Sequence, residues 1–160
     1  MPSIRFQLKC PKNVGRTFEK CYEEELQEDE DTLNHLHLQG RGMWLYVDNA
    51  LVGETIGIAP SRLPEEIPDT KPWTDEGLNK FCLYVYTTVI LPDYQDRGFA
   101  KLLCSYYAGY MKAIGYGLLI GHATSDPMRG IRSWMGASFS TEHKDWCGSQ
   151  RKAVFYVQHL

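Results

Sequence analysis

The sequence lacks the marks of several common chemistries. Its five cysteines, Cys10, Cys21, Cys82, Cys104 and Cys147, include no CxxC pair, and no Cys/His group has the spacing of a zinc site. Five is odd and the positions are scattered, which reads as free thiols in a reducing cytoplasm, with no metal centre. Basic charge is not in excess. The formal net charge is -3, so there is no electrostatic footprint for nucleic acid. No apolar run nears the roughly 18 residues that span a membrane, and the opening MPSIRFQLK holds no signal-peptide core. The dinucleotide fingerprint GxGxxG and the phosphate loop GxxxxGK(S/T) are both missing. No internal repeat or low-complexity segment stands out. The expectation left by these absences is a cytoplasmic protein without nucleic-acid or membrane partner. At 160 residues it is long enough for one domain, 1–160, with a real core.

What is present is a regular alternation of strands and helices. Ile4, Phe6 and Leu8 alternate with Arg5, Gln7 and Lys9, a short strand. Val14, Phe18, Cys21, Tyr22 and Leu26 follow helical spacing, which predicts a first helix running into the acidic stretch Glu28-Asp29-Glu30-Asp31. That stretch reads as a solvated helix end, with attraction of a cationic substrate as the sharper alternative. Asp31 or Thr32 caps a second helix carrying Leu33, Leu36 and Leu38; His35 and His37 read as surface histidines. Residues 43–47 and 51–58 form a hairpin around Asp48-Asn49, and Gly53 and Gly57 mark a bulge or a close backbone approach. Prolines 60, 64, 68 and 72 then exclude regular structure across most of 60–80. A loop this long is usually functional or disordered, and Trp73 within it predicts that it folds back over something.

Residues 81–91 form the strongest strand, apolar on both faces as in a central strand. Strict alternation puts Phe81, Leu83, Val85, Thr87, Val89 and Leu91 on one face. Pro92 ends it. After a short polar turn, a helix follows with Phe99, Leu102, Leu103, Tyr106, Tyr110, Met111 and Ile114 at helical spacing, stopped by Gly115. Residues 118–120 make the next strand, completing a parallel βαβ unit. A helix capped by Ser125 or Asp126 presents Met128, Ile131 and Met135 inward. Two strands close the chain, near 138–143 and 154–159. The turn at 93–101 lies at the carboxyl end of the central strand, where open α/β sheets bind ligands. Backbone amides at a helix start attract anions, and Gly98 and Ala100 leave room for a bulky phosphate.

Gln95-Asp96-Arg97-Gly98-Phe99-Ala100 resembles the Q/R-x-x-G-x-G/A acetyl-CoA motif of the GNAT superfamily of N-acetyltransferases. The lead-in Ile90-Leu91-Pro92-Asp93-Tyr94 and the order of elements along the chain are similar too. The resemblance implies an α/β (α+β) fold: a mixed central sheet of about seven strands, flanked by helices and splayed between the fourth and fifth. It implies that Gln95, Asp96, Arg97, Gly98, Phe99, Ala100 and Lys101 bind acetyl-CoA, with the backbone amides from Arg97 to Lys101 cradling its pyrophosphate. Thr88, Val89 and Ile90 would offer main-chain bonds to the pantetheine arm, and Ser125 falls near an asparagine position of the family. The reaction implied is direct acetyl transfer to a primary amine, either a small cationic amine or a protein lysine or N-terminus, by a monomer or homodimer.

The catalytic groups are less legible. Many family members place a tyrosine acid one to two turns into the helix after the fifth strand; here Arg132 or Ser133 falls near that place. The remaining candidates for proton transfer are His122, which titrates in the right range, Tyr84 or Tyr86 on the central strand, and Glu54 on the hairpin. His122 and Tyr84 are carried forward as catalytic. The missing tyrosine also motivates the alternative, an acyl-CoA-binding protein without catalysis.

Overall fold

The computed structural model describes residues 1–160 apart from the Glu76 side chain. Its strands are Ile4–Gln7 (β1), Arg41–Val47 (β2), Ala50–Ile58 (β3), Cys82–Ile90 (β4), Leu118–Ala123 (β5), Ser138–His143 (β6) and Ala153–His159 (β7). They form one mixed sheet in the order β1-β2-β3-β4-β5-β7-β6. β4 and β5 are parallel and the other neighbours antiparallel. The helices are Glu30–Gln39 (α1), Glu76–Asn79 (α2), Phe99–Ala113 (α3) and Asp126–Trp134 (α4). This is the expected architecture, and the hairpin turn at Asp48-Asn49 has both residues at positive φ, as a type I′ turn requires.

Three local expectations need correction. The first predicted helix is two isolated 3-10 turns, Glu19–Cys21 and Glu24–Leu26. Val14 and Phe18 still bury themselves, against Trp44, Ile56 and Val89, so the apolar spacing reported burial and not an α-helix. The cap of α1 is Asp29, whose carboxylate accepts from the Thr32 N–H at 2.8 Å. On α3 the inward face is Leu103, Cys104, Tyr107, Ala108 and Met111, while Tyr106, Tyr110 and Ile114 are exposed. Tyrosine has an apolar ring and a polar tip, so it fits either side of an amphipathic pattern.

The central strand also departs from strict alternation. Its register with β3 shifts between Ile56 and Gly57, a bulge that leaves Tyr86 without a partner on that side. Before the bulge, Leu83 and Val85 face α3; beyond it Ile90 does, and Val89 turns to the opposite face. Gly57 is glycine because a Cβ there would collide with the Tyr107 hydroxyl, which donates to the Arg41 carbonyl at 2.8 Å. The parallel ladder is short. Only residues 82–84 of β4 pair with 118–120 of β5, so the strands part beyond Tyr84 and open a wedge-shaped gap. No helix among the described residues is long and apolar enough to cross a membrane.

Candidate active site

The turn before α3 has the geometry of an anion cradle. Gly98 caps the helix at φ 82°, a conformation glycine adopts without strain, and a Cβ built there would meet nothing within 4 Å. The first intrahelical bond runs from the Leu102 N–H to the Gly98 carbonyl at 3.0 Å, so the N–H groups of Phe99, Ala100 and Lys101 point out of the helix start unpaired along it. Gln95 braces the turn from within. Its amide donates to the Ile90 carbonyl at 2.9 Å and ties the turn to the end of β4. Asp96 is exposed with φ at 58°. Arg97 lies over the Tyr94 ring, and the Lys101 ammonium sits 3.6 Å from the centroid of the Trp134 ring. Open space beside a positive-φ glycine, amides at a helix start and two nearby cations suit a diphosphate.

The gap between β4 and β5 continues into a cavity of about 440 Å³. Of the predicted residues, Glu54, Tyr84, Tyr86, Thr88, His122 and Ser125 line it, whereas Val89, Ile90 and residues 95–101 do not. Ser125 caps α4, its hydroxyl accepting from the Met128 N–H at 3.3 Å. Its wall is acidic, with Glu19, Glu25, Glu28, Glu54, Glu65 and Glu66. Glu28 is thus not part of a solvated helix end. It turns inward, accepting from the Tyr86 hydroxyl at 2.5 Å, and burial holds its carboxyl above the usual range. Glu54 is 5% exposed and accepts from the Trp44 indole N–H at 2.7 Å, with His37 at 3.6 Å. His35 and His37 are half-buried rather than surface groups, and the His35 ring nitrogen lies 2.7 Å from the Arg62 carbonyl.

Tyr84 and His122, paired only as alternatives in the sequence, touch. The Tyr84 hydroxyl lies 2.9 Å from His122 Nδ1. Nε2 of His122 is 3.0 Å from Asp69 Oδ2, which also takes Nε2 of His143 at 2.6 Å. A carboxylate needs donors, so Nε2 of His122 carries the proton and Nδ1 accepts from Tyr84. The His122 ring stacks on Trp146 with centroids 4.1 Å apart, and its side chain is 1% exposed. Burial pushes its pKa down to about 4 against the opposing pull of Asp69, so the imidazole is neutral at pH 7. Burial likewise holds the Tyr84 phenol well above its usual value. Burial acts to raise the Asp69 carboxyl, but the hydrogen bonds from His143 and His122 outweigh it and keep it below the carboxylate range.

Asp69, His143 and Trp146 went unnoticed in the sequence. Asp69 stands in the proline-rich loop at positive φ, and the loop folds back as Trp73 suggested, with Ile67 buried against Tyr84 and Phe155. The ligand-capable atoms of Asp69, His122 and His143 lie within 4.8 Å of one another, a carboxylate and two imidazoles that also form a metal donor set. In this structure Asp69 bonds both rings directly.

A family model, the acetyltransferase (GNAT) family, matches residues 12–131. Among proteins of curated function none matches the sequence. Among solved structures, the ribosomal-protein-S18-alanine N-acetyltransferase of Escherichia coli superposes with a TM-score of 0.71 at 10% identity, covering 98% of this chain and 94% of that one. An acetyltransferase from Bacillus subtilis in complex with CoA gives 0.70 at 13% identity, covering 99% of both chains. A GNAT family acetyltransferase from Elizabethkingia anophelis with acetyl-CoA bound gives 0.69 at 9% identity, covering 98% of both. Identities this low establish a shared fold.

Proposed function

The chain belongs to the GNAT family of acetyltransferases, and from that premise we propose that it transfers the acetyl group of acetyl-CoA to a primary amine on a small cationic molecule, by direct attack within a ternary complex. Residues 1–160 act as one catalytic domain. The observation that carries this reading is the cavity itself, which joins the splayed β4–β5 gap to a wall of six glutamates. Acetyl-CoA supplies the activated acyl group. The helix start at residues 98–101 holds its diphosphate, and the free edge of β4 at residues 88–90 supports the arm that reaches into the gap. The acidic wall selects for positive charge on the acceptor.

An ammonium is not nucleophilic, and a simple primary amine holds its proton up to a pKa of about 10.4. The neutral fraction attacks, and the nitrogen sheds its second proton as the C–N bond forms. Tyr84 receives that proton on its oxygen while passing its own to Nδ1 of His122. Asp69 holds the ring in the required tautomer and faces the charge that develops on it. His122 is a weak base in the resting site, but the nitrogen it serves is far more acidic once bonded to the acyl carbon.

The direct experiment is coenzyme A release from acetyl-CoA over a panel of mono-, di- and polyamines. Tight acetyl-CoA binding with no turnover on any of them would favour the non-catalytic alternative. Two variants sharpen the assignment. Tyr84→Phe keeps the ring and removes the relay oxygen; kcat is expected to fall about 100-fold with little change in the amine KM. A kcat within twofold of wild type removes Tyr84 from the chemistry. Glu28→Gln is expected to raise the KM of a diamine about tenfold, equivalent to about 1.4 kcal/mol. Monoamines should respond less, and added salt should weaken the wild-type preference for the diamine. Equal KM changes for mono- and diamines would remove the acidic wall from specificity.

A further inference from the structure

Among the described residues Arg132 is the one strongly buried cation at the cavity. It lies in the last turn of α4, is 1% exposed, and contributes to the cavity lining. A buried guanidinium is strongly unfavourable unless a counter-charge and hydrogen bonds compensate it. Here the compensation is incomplete. Among the described residues no carboxylate lies within 4.0 Å of it. Its Nη1 donates one long bond, 3.3 Å, to Gln158 Oε1; its Cζ lies 4.9 Å from the centroid of the Tyr156 ring; and its buried Nε has no partner. The nearby acidic groups are kept neutral by burial: the Cys104 thiol is pushed up, Tyr156 up to about 12, and Tyr107 further. Burial acts against the charge, but a guanidinium does not lose its proton in a protein, so Arg132 stays charged. A buried cation with no counter-charge and one unpaired N–H, on the wall of a reaction cavity, is a prepared site for an anion.

The position of Arg132 identifies which anion. Its neighbours Cys104 and Tyr107 belong to α3, the helix whose start forms the diphosphate cradle. Tyr84 and His122, by contrast, pack with Phe155 and Trp146, beside the proline-rich loop. The acceptor is cationic in the reading above and is repelled by a guanidinium, so the charge that Arg132 meets belongs to the donor. Building on that reading, we propose that Arg132 is a catalytic residue that stabilises the coenzyme sulfur as a thiolate when it leaves. The acceptor nitrogen bonds to the acetyl carbon, the carbon–sulfur bond breaks, and the sulfur departs with the electron pair of that bond. The proton lost by nitrogen passes to the Tyr84–His122 pair, and the thiolate leaves the site either as it is or after taking a proton from water. No acid has to stand beside the sulfur, because a fixed charge already lowers the energy of the anion.

The test reads the bound sulfur directly. Coenzyme A bound to wild type, Arg132→Gln and Arg132→Lys is titrated by its thiolate ultraviolet absorbance. The complex with desulfo-coenzyme A serves as the blank that removes the protein's own thiols and phenols. In wild type the bound thiol is expected to titrate at least one pH unit below free coenzyme A, a tenfold shift. In Arg132→Gln it returns to within a few tenths of the free value, and in Arg132→Lys it falls between. With acetyl-CoA, kcat of Arg132→Gln falls about 100-fold while the acetyl-CoA KM stays within about threefold. Circular dichroism and thermal melting establish that each variant folds, and the wild-type titration stands without them. A wild-type thiol that titrates like free coenzyme A overturns this inference and leaves acetyl transfer intact. So does an Arg132→Gln complex that keeps the lowered value. Coenzyme A that fails to bind the wild type overturns the acetyl-CoA reading beneath it.

Discussion

Gly98→Glu raises the acetyl-CoA dissociation constant more than 100-fold, about 3 kcal/mol, in isothermal titration calorimetry. The glycine sits at φ 82° with nothing within 4 Å of where a Cβ would stand. That space is the approach to the free N–H groups of residues 99–101. A glutamate there fills it and puts a negative charge where an anion must dock, reversing the helix-end electrostatics. The cost to the fold is modest, since a non-glycine residue in the left-handed region costs about 1–2 kcal/mol. Gly98→Ala separates the two effects: it carries the backbone strain and little of the steric or electrostatic block, so its binding loss should be at least tenfold smaller than that of Gly98→Glu. Unchanged affinity in the glutamate variant would sink the cradle assigned to this turn.

Acidification from pH 7 to about 4 removes about 3 kcal/mol of stability through His122. Its pKa in the fold is about 4, against an ordinary imidazole value near 6.5. Between those values the unfolded chain binds a proton that the native site refuses, so stability falls as pH drops through that window. Each pKa unit is worth about 1.36 kcal/mol, and 2.5 units give the figure quoted. Other groups act elsewhere or in the opposite sense. Asp69, held below the carboxylate range, loses its contribution at still lower pH. Glu19 and Glu28, raised by burial, bind protons more readily in the native state and gain stability as pH falls. The measurement is therefore a difference: urea unfolding at several pH values for wild type and His122→Gln. The wild type should show the steeper loss between about pH 6.5 and 4. Parallel profiles would mean that the imidazole is not held neutral in the fold.

The parts of this molecule visible in the sequence are those whose physics is local. Gly98, Pro92 and the apolar run of β4 announce strand, turn and helix within twenty-odd positions, because backbone conformation and side-chain period act over short distances. The candidate proton-transfer pair was half visible: Tyr84 and His122 were named, but nothing in the sequence says that they touch. Asp69, which orients His122, lies 53 residues from it, in a segment whose prolines announce only irregularity. Arg132 was placed near the family's acid position, but its burial was not foreseen, because arginine on an amphipathic helix ordinarily faces water. Glu28 was misread for the same reason, as one of four consecutive acids at what looked like a helix end. Arg132 is fully buried and Glu28 half-buried, and withdrawing charge from water breaks the rule by which sequence is read. The bulge at Tyr86 slipped the pattern by one residue, which strict alternation cannot represent.

The short ladder between β4 and β5 has a mechanical consequence. Strands β1–β4 form one half-sheet and β5–β7 another, and along the sheet the two are laced through residues 82–84 and 118–120. A fold of this size would otherwise behave as a single stiff plate. With so narrow a seam, the soft mode of the plate is a scissoring of the two halves, and the width of the gap is the coordinate that mode changes. Tyr84 lies at the last laced position and His122 just past it on the other half, so their 2.9 Å contact is a clasp across the scissors. Opening strains this contact and closing restores it, so the alignment of the proposed proton-transfer pair and the width of the gap proposed for the thioester follow the same movement.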